Sequence, residues 1–226
     1  MKILKILALI CSFLFFVPQA MAQSFSSSSQ QLLVVIYGDI ITSNNYLPAE
    51  QTFPAQLEKR LRVTGFEVNV LAMGDSEFTS STALEKLPSL VGAAPDVVIV
   101  QLGETDIKRN FSAFGFISNL QKIIDTLKSK GIYVIVMGAK IPESADVGYA
   151  KKINDFFNST ARKTPLYYTL DNVAGYPERT ISDSYRPNAK GVEIMVNGIY
   201  IMVDTGLRWR LDVINKIRLK QNKIKP

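Results

Sequence analysis

The chain has 226 residues, 47% of them apolar and 20% charged, which is room for one sizeable domain with its own core and the composition of a globular rather than a disordered protein. The formal net charge of +6 is unevenly placed: residues 207–226 hold seven Lys/Arg against Asp212, and residues 1–22 contribute Lys2 and Lys5. The stretch 23–206 is therefore about −2 by subtraction, which excludes a general nucleic-acid footprint over the body of the protein.

In chain order, residues 1–22 come first. Lys2 and Lys5 precede an apolar run from Ile6 to Val17, and Ala20-Met21-Ala22 follows. A basic start, an apolar run too short for a comfortable membrane span and an A-x-A site predict a cleaved secretory signal peptide. The sequence thus predicts export to a periplasmic or extracellular location. Cys11, the one cysteine, lies inside that run, so the expected mature chain has no thiol and needs no disulfide. Residues 23–31, rich in Ser and Gln, read as a flexible leader.

Apolar, β-branched runs at 32–39, 66–73, 96–103, 132–139 and 166–171 predict five strands. The near-continuous apolar character of the first, third and fourth suggests burial on both faces. Helical patterns occupy about 53–64, 79–91, 111–130 and 146–163, with a last helix beginning near Asn188. Such alternation predicts a single-domain α/β protein, a doubly wound, parallel five-stranded sheet with right-handed crossovers. In sheets of this kind the ligand crevice lies beyond the carboxyl ends of the strands. That gathers Asp39-Ile40, the loop 74–77, Glu104-Thr105-Asp106 and the segment 182–188 at one place.

Three blocks then suggest a family. "YGDIITSNNYLPAEQTFPAQLEKRL" resembles a strand-G-D-S opening followed by a loop, "PDVVIVQLGETD" resembles a G-x-N-D block, and "DSYRPNAKG" resembles D-x-x-H-P-N-x-x-G. Together they resemble the SGNH, or GDSL-type, hydrolases, in particular the branch of secreted thioesterase I, lysophospholipase and arylesterase. The resemblance spans residues 32–205 and implies the flavodoxin-like SGNH-hydrolase fold, with no cofactor and no metal. It also maps the catalytic set residue by residue. The nucleophile falls on Ile40, the oxyanion asparagine on Thr105, the base on Arg186 and the orienting acid on Asp183. The oxyanion glycine falls on Ser76 or Glu77, while Asp39 and Asp106 are expected to be structural.

The chemistry that the resemblance implies needs an oxygen nucleophile, a proton acceptor and preorganised donors. Isoleucine offers no nucleophilic atom, and arginine stays protonated. The whole chain contains no histidine. Thr42, Ser76, Thr105 and Ser184 with Lys108 or Lys190 present no spacing that singles out a substitute pair. Likewise Asp39, Asp75, Glu104, Asp106 and Asp183 lack the pattern of an oxygen-ligand metal loop. Arg186 is expected either to pair with Asp183 or to grip an anionic ligand group. The expectation is a non-catalytic binding or interaction protein on a hydrolase fold, with its ligand or protein partner unidentified. The alternative is a residual or atypical esterase or thioesterase acting on acyl or aryl esters. The tail 207–226 places Leu207, Leu211, Ile214 and Ile217 on one helical stripe, suiting either an anionic membrane surface or packing on the body.

Overall fold

The computed structural model describes residues 31–39, 42, 46–139, 141, 145–167, 179–180 and 186–224. Ile40, Asp183 and Ser184, the predicted signal peptide and most of the leader lie outside the described residues. The strands are β1 (Leu32–Gly38), β2 (Val68–Met73), β3 (Val97–Gln101), β4 (Tyr133–Met137) and β5 (Leu166–Tyr167). The helices are α1 (Phe53–Val63), α2 (Ser80–Gly92), α3 (Glu104–Lys108), α4 (Ala113–Ser129), α5 (Val147–Ala161) and α6 (Ala189–Ile224). A 3-10 turn at Ala49–Gln51 leads into α1.

All strand pairs are parallel, in the order β2-β1-β3-β4-β5. Successive residues of each central strand feed opposite cores. Val34 and Ile36 of β1, with Val97 and Ile99 of β3, pack on Phe53, Leu57 and Leu61 of α1 and on Val192, Met195 and Ile199 of α6. Val35 and Tyr37, with Val98 and Val100, pack on α2, α4 and α5. Two buried faces explain why these strands carry apolar residues at every position.

The helices start where the side chains permit. Pro54 sits in the first turn of α1, where its missing N–H is no loss. Thr79 caps α2, Ser112 caps α4 and Asp146 caps α5, each accepting a backbone N–H from three residues on. Asn188 does the same for α6: its side-chain oxygen accepts from the N–H groups of Lys190 and Gly191, both at 3.0 Å. Such caps stabilise a helix by roughly 1 kcal/mol each.

Three details differ from the expected elements. The helix expected at 111–130 is α4 alone, and the separate α3 precedes it; Asn110, at φ 55°, turns the chain between them. β2 starts at Val68 rather than Phe66, and 168–171 of the last expected strand lie outside the described residues. The expected edge at 206/207 falls inside α6, a single helix of 36 residues.

Candidate functional site

The sheet order reverses at β1: β2 lies on one side of it and β3 on the other, and the helix after β1 packs on the opposite face from those after β3. The crevice of a doubly wound sheet opens at such a switch point, so the loops after β1, β2 and β3 meet there. Gly38 closes β1. A Cβ on it would lie 1.7 Å from the Gln101 carbonyl oxygen, so only glycine lets β1 and β3 run together to their ends.

Asp39, fully buried, ties two of these loops. Its Oδ2 accepts the Thr105 backbone N–H at 3.0 Å, while its own N–H donates to the Gln101 carbonyl at 3.0 Å. Thr42 closes the start of the β1–α1 loop, its Oγ1 reaching the carbonyl oxygens of Gly38 and Asp39 at 2.6 Å each. The Thr105 hydroxyl donates to the Ser76 carbonyl at 3.1 Å, which spends on the β2–α2 loop the donor that its position could have offered to a reacting oxygen.

Asp106 is buried and receives two bonds from Ser80, from the N–H at 2.8 Å and from the hydroxyl at 2.5 Å. Burial, the larger influence, pushes its carboxyl above the ordinary aspartate range, and the Ser80 donors and Arg109 pull it partly back. Glu77 pairs with Arg109, adding an exposed strap between the same loop and the residues after α3. The β2–α2 loop is therefore fastened to the chain after β3 at Thr105, Asp106 and Arg109.

Arg186 lies just ahead of α6 on a held segment. Pro187 pairs with Thr180 in an antiparallel bridge, and Asn188 caps the helix. The Arg186 guanidinium carbon sits 5.1 Å above the centre of the Tyr46 ring, within the range of a cation–π contact. It thereby joins the β1–α1 loop to the start of α6. The proposed pairing of Arg186 with Asp183 involves a residue outside the described set, as does the position of Ile40. Of the substitute lysines, Lys190 is paired with Glu193 at 3.0 Å.

Within the loop 74–77, which the sequence places at the crevice, the structure singles out a residue given no individual role. Ser76 and Glu77 are both exposed, whereas Gly74 makes the close approach to the end of β1. Its φ is +135°, and a Cβ on it would fall 2.0 Å from the Gly38 carbonyl oxygen. The close approach to β1 thus requires glycine at 74, two or three residues before the positions onto which the resemblance maps the oxyanion glycine. The G-D pair after Met73 was the available signal.

The architecture and the blocks at its strand ends define a family. Residues 36–194 match the model of the GDSL-like Lipase/Acylhydrolase family, and the chain belongs to that family. An arylesterase of Vibrio mimicus is 29% identical over 166 residues, which cover 72% of this chain and 82% of the relative. Esterase TesA of Pseudomonas aeruginosa is 28% identical over 165 residues, covering 71% and 81% respectively. Among solved structures, a TesA crystal structure superposes with a TM-score of 0.71 at 23% identity, covering 77% of this chain and 99% of that one. The last comparison bears on the fold alone.

Proposed function

We infer that this member of an ester-hydrolase family binds rather than hydrolyses. The observation that carries the reading is the absence of histidine from the entire chain, with Arg186 standing where the family pattern has its base. A guanidinium keeps its proton at every physiological pH, so it cannot accept one from a hydroxyl. Ile40 at the nucleophile position and the committed hydroxyl of Thr105 point the same way. Removing members of a hydrolase triad costs about 10⁴–10⁶ in rate, and the members act as a unit. Held over Tyr46, Arg186 is suited to a carboxylate, sulfate or phosphate group of a ligand. The signal-like residues 1–22 favour action in the periplasm or outside the cell.

A second reading, residual hydrolysis of acyl or aryl esters, draws support from Gly74, which keeps the crevice geometry beside β1. One experiment separates the two. The purified protein is treated with a fluorophosphonate probe and assayed with short p-nitrophenyl esters. No labelling and no turnover above background are expected; stoichiometric labelling of any serine would overturn the binding reading.

A further inference from the structure

The second half of α6 carries a side that the core uses only in part: the Trp209 ring tilts against Tyr133, centres 5.8 Å apart, yet its outer part stays open. Leu207 and Ile214 are buried and Leu211 packs beside them, so the stripe that begins at Leu207 serves the core. It stops there. From Asn215 to Asn222 every residue is exposed, and the helix continues past the body to Ile224.

Along this stretch a second apolar stripe appears. Trp209, Val213 and Ile217 are spaced i, i+4, i+8, which places them on one side of the helix, roughly 120° around the axis from the core-facing stripe at ~100° per residue. Trp209 is 41% exposed and Ile217 49%. Lys216 and Lys220, both exposed, fall on the same side by the same spacing. Residues 213–226 hold five Lys/Arg and no acid; Asp212, beside Trp209 on the flank, is the one carboxylate after Asp204. Arg208 and Arg210 are already bonded, to Asp204 and Asp96. No described helix is long and apolar enough to cross a membrane.

We propose that the Trp209–Val213–Ile217 side of α6, with Lys216 and Lys220, is a docking surface for an anionic lipid bilayer. An apolar strip with an indole at one end suits the headgroup level, and the cations that share its side suit a negative surface potential. Charge decides the occupant: an uninterrupted run of cations repels a second copy of itself and attracts phospholipid headgroups. The proposal is independent of whether the crevice hydrolyses or binds.

The test uses the full chain with vesicles of phosphatidylglycerol and phosphatidylcholine, or of phosphatidylcholine alone. Trp209 is the sole tryptophan, so its emission reports this surface directly. The expected result is a blue shift and co-sedimentation with the anionic vesicles, both weakened at 0.5 M salt. Each cation near such a surface contributes about fivefold, so Lys216→Gln with Lys220→Gln should weaken binding roughly twenty-fivefold. Ile217→Ser should reduce the blue shift. All three residues are exposed, and melting curves of the variants should match the wild type. Any binding through residues 6–17 would persist unchanged in every variant and leave Trp209 unshifted. Equal binding by wild type and the double variant would overturn the proposal. So would a Trp209 shift that depends on protein concentration without lipid, which would assign the surface to a second copy.

Discussion

Thr105 and Asp106 show what single residues do in this crevice: each commits its polar atoms to holding a loop. The Asp106 carboxylate is the acceptor for both Ser80 donors, so Asp106→Ala should destabilise the fold by about 1–3 kcal/mol for each buried donor left unsatisfied. Chemical denaturation of the variant checks this. A pH dependence follows from the raised Asp106 pKa. With the folded value above the unfolded one, the folded state takes up its proton first as pH falls. The stability of the wild type relative to Asp106→Asn should therefore rise on acidification, across the window between the raised and the ordinary aspartate values. A flat difference would mean that burial leaves the group unshifted. Restoring the family pattern with Ile40→Ser, Thr105→Asn and Arg186→His should gain fluorophosphonate labelling while ester turnover stays feeble, because supporting contacts must also be in register. If the variant takes up no label, more than these three positions has changed.

At the scale of elements, α6 does two jobs along one axis. Through Ile214 it is core: Val203 and Leu207 are fully buried, and Arg210 meets the buried Asp96 at 2.7 Å. Asp96 also accepts the Leu33 N–H at 2.8 Å, so this pair ties α6 to the start of β1. Ending the chain after Gly206 should therefore cost several kcal/mol, at about 1.5–3 kcal/mol for each large apolar side chain exposed. Ending it after Ile214 should leave the melting midpoint unchanged. Equal midpoints for the two truncations would contradict the division. The same helix shows what the sequence could and could not say. Its start near Asn188 was legible, because an Asn cap before a periodic apolar run is a local signal. Where its apolar stripe leaves the core was not, since Ile217 continues the spacing of Leu207, Leu211 and Ile214 yet lies beyond the body. The strands were legible from their Val/Ile runs, as burial on both faces demands. The five residues of α3 were too short to show a period. The loop 74–77 was legible as part of the crevice, but the contact of Gly74 with Gly38 was not. That contact is set by φ and tertiary packing, and the G-D pair after Met73 is only a turn signal. The Arg186–Tyr46 contact joins two loops far apart in the chain, for which neither loop carries a local mark.

Across the whole molecule the sheet is covered unequally in time. The face lined by Val35, Tyr37, Val98 and Val100 is closed by helices made midway along the chain. The opposite face, with Val34, Ile36, Val97 and Ile99, receives α1 early but waits for Val192 to Ile214 of α6. During synthesis the four longer strands are complete before the last helix exists. Emergence of α6 takes about 2–8 s at ordinary elongation rates of about 5–20 residues per second. For that interval an apolar sheet face stands open, a substrate for holding chaperones and for aggregation alike. Chains halted before residue 189 should accordingly bind a hydrophobic dye and sediment, whereas chains halted after 214 should not. The last described helix thus acts as a completion signal: one face of the sheet is covered only once residues 192–214 have been made.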